Sequence, residues 1–144
     1  MDRSVTIIGF GNQGRAQALN LRSSGWEVTV ALRPNSPSVD AVSQEGLPVV
    51  ADLSSAVGKA EMVALLIPDT EQPTLWRELL AKSLPAGAAL VFAHGYNLHF
   101  HRIMPRPDLD IILVAPLSSG ATLRANFTSG DPTPIAVAVH HDAT

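Results

Sequence analysis

The sequence contains no cysteine. That excludes a disulfide scaffold, thiolate catalysis and Cys-ligated zinc or iron–sulfur centres. Positive charge is not in excess: 10 Lys and Arg stand against 13 Asp and Glu, for a formal net charge of −3. No basic field therefore calls for nucleic acid or an anionic membrane. The longest apolar stretches, such as Met62–Pro68 and Ala88–Ala93, fall well short of the roughly 18 residues a membrane span needs. There is no G-x-S-x-G serine-nucleophile motif, no internal repeat and no low-complexity segment. Met1-Asp2-Arg3-Ser4 runs directly into a strand-like segment, so no signal peptide is expected. These absences lead to the expectation of a soluble, cytoplasmic protein. The chain has 144 residues, 46% of them apolar and 16% charged. This fits one globular domain with a real core.

Short apolar runs alternate with helical stretches. Val5–Gly9, Glu27–Leu32, Val49–Ala51, Glu61–Ile67, Ala89–Ala93, Asp110–Ala115 and Ile135–Val139 read as strands. Asn12–Ser24 reads as a helix closed by Gly25, Val39–Glu45 as a short helix stopped at Gly46, and Leu53–Lys59 as one or two turns. Glu71–Leu84 reads as an amphipathic helix, and Ala121–Pro134 as loop. The strand runs are continuous rather than alternating, as in a parallel sheet covered by helices on both faces. The pattern predicts a doubly wound, mostly parallel α/β sheet of the Rossmann type, with residues 1–144 forming a single domain.

Gly9-Phe10-Gly11-Asn12-Gln13-Gly14 is G-x-G-x-x-G between a predicted strand and a predicted helix, the context the dinucleotide fingerprint requires. Gly9 permits the tight turn, Gly11 lets a pyrophosphate approach the backbone, and Gly14 lets helix and strand pack closely. The helix start then offers free N–H groups and a positive dipole end to the phosphates. About 20 residues on, an NAD site carries an acid for the ribose hydroxyls. Here that position is Arg33, with no acid between Val28 and Asn35, and Ser36 and Ser38 follow. A guanidinium and two hydroxyls suit the 2′-phosphate of NADP(H); the bland alternative is a solvated arginine.

His94, His99 and His101 cluster after the fifth predicted strand. No acids are placed to complete a ligand set, so no metal site is assigned. His94 sits at the carboxyl end of a strand, where such sheets bind ligands. It could donate to a cofactor or substrate oxygen, or serve the fold. His140 and His141 read as solvated, and Asp108 and Asp110 as loop caps at a strand start.

Six segments resemble one family. IIGFGNQGRAQALNLRSSG (7–25), ALRPNSPS (31–38), LLIPDTEQ (65–72), LVFAHGYNLHF (90–100), DIILVAP (110–116) and AVHHDAT (138–144) resemble the N-terminal domain of ketol-acid reductoisomerase, of branched-chain amino acid biosynthesis. The resemblance implies an NADPH-binding oxidoreductase domain. Phe10, Asn12 and Gln13 would line the pyrophosphate loop, and Arg33, Ser36 and Ser38 would face the 2′-phosphate. Pro68, Asp69 and Gln72 would run beside the cofactor, and His94 would be the active-site histidine near the nicotinamide. The family's reaction is a magnesium-assisted alkyl migration followed by hydride transfer. Two departures bear on it. Where the family has Ala-Pro-Lys-Gly-Pro-Gly-His, this chain has Ala115-Pro116-Leu117-Ser118-Ser119-Gly120-Ala121. The family's helical C-terminal domain, which carries the magnesium carboxylates, is expected to be absent. Magnesium is then expected only where a complementary domain supplies those carboxylates. The expected function is an NADP(H)-binding protein not competent alone for isomeroreduction. A stand-alone small NADPH-dependent reductase that uses His94 with a substrate bound between protomers, and a non-catalytic NADP-sensing or interaction module, remain alternatives; a small keto or hydroxy acid is the expected substrate class. The face near Leu113–Leu123 is expected to be apolar and open, favouring a homodimer.

Overall fold

A computed structural model describes residues 3–144. The expectation about a signal peptide concerns Met1 and Asp2 in part, which lie outside the described residues. Seven strands form one sheet: β1 Ser4–Ile8, β2 Glu27–Ala31, β3 Val49–Val50, β4 Met62–Leu65, β5 Ala89–Phe92, β6 Asp110–Pro116 and β7 Ile135–His141. Their spatial order is β3-β2-β1-β4-β5-β6-β7. The first six are parallel, and β7 runs antiparallel to β6. The order reverses between β1 and β4. A crevice beyond the carboxyl ends of those two strands is where an open α/β sheet takes its ligand.

The helices are α1 Asn12–Ser23, α2 Val39–Gln44, α3 Leu53–Val57, α4 Gln72–Leu75, α5 Ala81–Ser83, α6 Tyr96–His99 and α7 Gly120–Ser129. Successive strand residues point to opposite faces, and two cores result. On one face Ile8, Leu65, Leu90 and Phe92 pack with Trp76, Leu80 and Leu98. On the other Val5, Ile7, Val28 and Val30 pack with Ala18 and Leu19 of α1 and Val42 of α2. The small residues Gly14, Ala16 and Ala18 make up most of the buried side of α1, which lets it lie close on β1.

The structure departs from the expected pattern in four places. The helix expected over Glu71–Leu84 is interrupted by a π-helical turn, Trp76–Leu80, between α4 and α5. The stretch expected to be loop holds α7. Its apolar signal is faint because only Gly120 and Leu123 are buried. The ends are nevertheless defined: Ser119 Oγ accepts the Thr122 N–H at 3.1 Å, and Gly130 closes the helix with φ 81°. His141 is not simply solvated; its Nε2 lies 2.8 Å from the Pro107 carbonyl oxygen. Finally, helices do not cover both faces throughout. On the α1 side an apolar channel of about 470 Å³ stays open between α1 and α7, floored by Val91, Ile112 and Val114 and walled by Leu21, Leu123 and Phe127. Ile135, Val137 and Val139 of β7 pair with Pro116, Val114 and Ile112, which carries the apolar face to the sheet edge. All three are exposed.

Candidate dinucleotide-binding site

The three glycines of the β1–α1 turn have three different geometries. Gly9 has φ +100°, and a Cβ there would meet Ile67 Cγ2 at 2.8 Å, so only glycine makes this turn without strain. A Cβ on Gly14 would stand 2.5 Å from the Gly9 carbonyl oxygen; this is the close crossing of helix and turn. A Cβ on Gly11 would meet nothing within 4 Å. Gly11 is exposed, extended (φ −75°, ψ −162°) and caps α1 without a side-chain hydrogen bond. The first helical bond is Arg15 N–H to Gly11 O, at 2.9 Å. The N–H groups of Asn12, Gln13 and Gly14 therefore precede the intrahelical ladder and face the crevice end of the helix. No acid occupies the first turn. An open approach, early N–H groups and no competing carboxylate fit a diphosphate.

The side chains of the same loop do other work. Phe10 is buried in the core under α1. Asn12 Oδ1 accepts the Ala121 N–H at 3.1 Å, and Gln13 Nε2 donates to the Ser118 carbonyl at 2.9 Å. What Asn12 and Gln13 offer a ligand is thus backbone, while their side chains fasten the loop to the start of α7. Leu117, at the end of β6 beside this junction, is 68% exposed.

Arg33 follows β2 and its side chain is 72% exposed. A turn joins it to the two serines: Ser36 N–H donates to Arg33 O at 3.2 Å, and Ser38 N–H to Ser36 Oγ at 3.3 Å. Asn35 holds this turn with φ 60°, a conformation asparagine tolerates better than most residues. One guanidinium and two half-buried serines therefore share one small loop. Arg33 Nη1 also lies 3.7 Å from Glu71 Oε2 on the far wall of the crevice.

That far wall is the β4–α4 loop. Pro68 is exposed and Asp69 half-buried, but Gln72 is buried. Gln72 Nε2 donates to Ile67 O at 3.0 Å and Asp69 Oδ1 at 3.2 Å, and its Oε1 accepts from Asn97 Nδ2 at 2.9 Å. Asn97 Nδ2 also reaches Asp69 O at 2.8 Å. Gln72 is thus a strut of the wall, and Asn97, which sequence reasoning missed, is its partner. Being buried, this pair leaves no surface pattern to read. Across the same junction His94 is exposed at the carboxyl end of β5. Its Nδ1 lies 3.3 Å from Asp69 Oδ2 and 3.3 Å from the Tyr96 N–H. A neutral ring protonated on Nε2 accepts from Tyr96; a ring protonated on Nδ1 faces Asp69. His99 and His101 are brought into no metal set: among the described residues no three acidic or histidine side chains are arranged to hold an ion.

Strand order, glycine turn and crevice define a dinucleotide-binding Rossmann domain. A family profile described as "Acetohydroxy acid isomeroreductase, NADPH-binding domain" matches residues 1–144. Ketol-acid reductoisomerase (NADP(+)) of Xanthomonas axonopodis pv. citri is 48% identical over 140 residues, covering 97% of this chain and 42% of that protein. The ketol-acid reductoisomerase of Pyrobaculum calidifontis is 44% identical over 140 residues, again with 42% of its length matched. Among solved structures, the NADH-preferring ketol-acid reductoisomerase from an uncultured archaean superposes with a TM-score of 0.92. It is 34% identical, over 97% of this chain and 44% of the other. This chain belongs to the acetohydroxy acid isomeroreductase family, as its NADPH-binding domain. It spans less than half the length of these relatives.

Proposed function

We propose that this domain binds NADPH in the crevice at the β1–β4 switch point and presents it for reduction of the ketone carbonyl of a small keto acid. Bound there, NADPH supplies a hydride. The carrying observation is the pairing of a glycine turn open at Gly11 with Arg33, and no acid, after β2. The loop N–H groups hold the diphosphate, Arg33 with Ser36 and Ser38 takes the 2′-phosphate, and the Pro68–Gln72 wall borders the cofactor. His94 is the group able to give or take a proton at the open end.

The domain alone is not an isomeroreductase on this reading. Leu117 occupies the position of the family's lysine, and a hydrocarbon chain neither donates a proton nor balances a substrate carboxylate. A single test addresses both halves: saturate the domain with NADPH, following its fluorescence, then add acetolactate and magnesium. Saturable binding without oxidation at 340 nm is expected; multiple turnovers by the domain alone would refute the second half.

We also propose that the chain self-associates through the apolar face ending at β7. The β7 edge carries no Lys, Glu or Pro to block pairing, and exposed Val137 and Val139 continue the open channel. Sedimentation equilibrium is expected to give a dimer that Val137→Lys dissociates. A monomer at high concentration would overturn this.

A further inference from the structure

Arg33 and Glu71 face each other across the crevice, 3.7 Å apart, although their strands, β2 and β4, are separated by β1. The contact joins the two walls at the end where the 2′-phosphate site is proposed. Both side chains are largely exposed, 72% and 51%, so the pair contributes little to folding. Glu71 directly precedes α4, yet its side chain makes no capping bond there. Arg33 is the only charged residue between Val28 and Val39. Ser36 and Ser38 add hydroxyls but no charge. Whatever neutralises Arg33 therefore acts on the whole electrostatic preference of this loop.

We propose that Glu71 is a specificity-determining residue, setting how strongly the site prefers NADPH over NADH by competing with the 2′-phosphate for Arg33. The inference rests on the proposed cofactor site. A 2′-phosphate arriving at Arg33 must displace the Glu71 carboxylate and then lies near a like charge. NADH, which has only hydroxyls there, meets neither cost. Glu71 thus compresses the discrimination that Arg33 alone would provide.

The test is Glu71→Gln, which keeps the size and removes the charge. Dissociation constants for NADPH and NADH are measured by fluorescence at low ionic strength and again at roughly 0.3 M salt. Glu71→Gln is expected to tighten NADPH about three- to fivefold and leave NADH within about twofold, with the gain shrinking at high salt as exposed charges are screened. In an Arg33→Gln background the gain is expected to be smaller. An unchanged NADPH constant, or an equal shift for both dinucleotides, would overturn the inference while leaving the site assignment intact. Failure of the wild-type domain to bind either dinucleotide would overturn both. An unaltered melting curve for Glu71→Gln separates a binding effect from a folding one.

Discussion

Gly120 lies directly on Asn12: a Cβ at position 120 would overlap the Asn12 carbonyl oxygen, carbonyl carbon and Oδ1. The first residue of α7 thus touches the first residue of α1, and Asn12 Oδ1 ties them by accepting from Ala121 N–H. The start of α7 braces the glycine loop proposed to hold the diphosphate. Gly120→Ala is expected to cost about 1–3 kcal/mol in stability, since backbone cannot yield as a flexible side chain can, and to weaken NADPH binding as the start of α1 shifts. Thermal melts and a titration check both. An unchanged melting temperature would mean that the two helices can slide apart freely.

Arg33→Asp replaces the cation after β2 with an acid. Loss of a charge-assisted bond to the 2′-phosphate costs about 2 kcal/mol, or roughly 30-fold in affinity, and the new carboxylate repels a phosphate while suiting ribose hydroxyls. NADPH is expected to weaken by at least that factor, and NADH to be spared or improved. Parallel titrations of the two dinucleotides decide the matter. Equal effects on both would remove Arg33 from the 2′-phosphate site.

Two carboxylates at the base of the sheet are expected to make its stability fall in acid. The Thr144 hydroxyl, donating at 2.6 Å, and then the Ala143 N–H, hold the Asp110 carboxyl below its ordinary range. The Arg106 guanidinium does the same for Asp108 through a bidentate pair of 2.9 and 2.5 Å. Because the folded state favours the ionised forms, their contribution is complete above the unfolded value, about 3.9 for Asp. It is lost as pH falls through the lower folded values. The melting temperature is expected to drop as pH falls below about 4, and Asp110→Asn to flatten that slope while lowering stability at neutral pH. An identical acid slope in the variant would contradict this.

Most of the sheet was legible in the sequence because β1, β4 and β5 are buried on both faces and so appear as unbroken apolar runs. The glycine turn was legible because its three glycines stand at fixed spacing in one short stretch, although only Gly9 and Gly14 answer a steric demand and Gly11 leaves an open approach. The fold's other half of the site was not. Helix α7 buries only Gly120 and Leu123, too little to leave a helical period, and its locally capped start is placed against α1 by contacts with Asn12 and Gln13 over a hundred residues away. Gln72 could be named from family resemblance, but not its role, since that depends on Asn97 crossing from another loop. Arg33 could be found from its distance to the glycines. Glu71 opposite it could not, because nothing in the chain announces which residue of the β4–α4 loop turns toward β2.

In the proposed site, binding depends first on the open side of Gly11 admitting a diphosphate. Isothermal titration of the wild-type domain and of Gly11→Val with NADPH tests this most directly. A side chain at this position enters the approach from a Cβ site that has no protein atom within 4 Å beyond its chain neighbours. The expected result is one saturable NADPH site per chain in the wild type and at least tenfold weaker binding in an equally stable variant. No binding heat in the wild type at any temperature tried, or equal affinity in the two proteins, would contradict it.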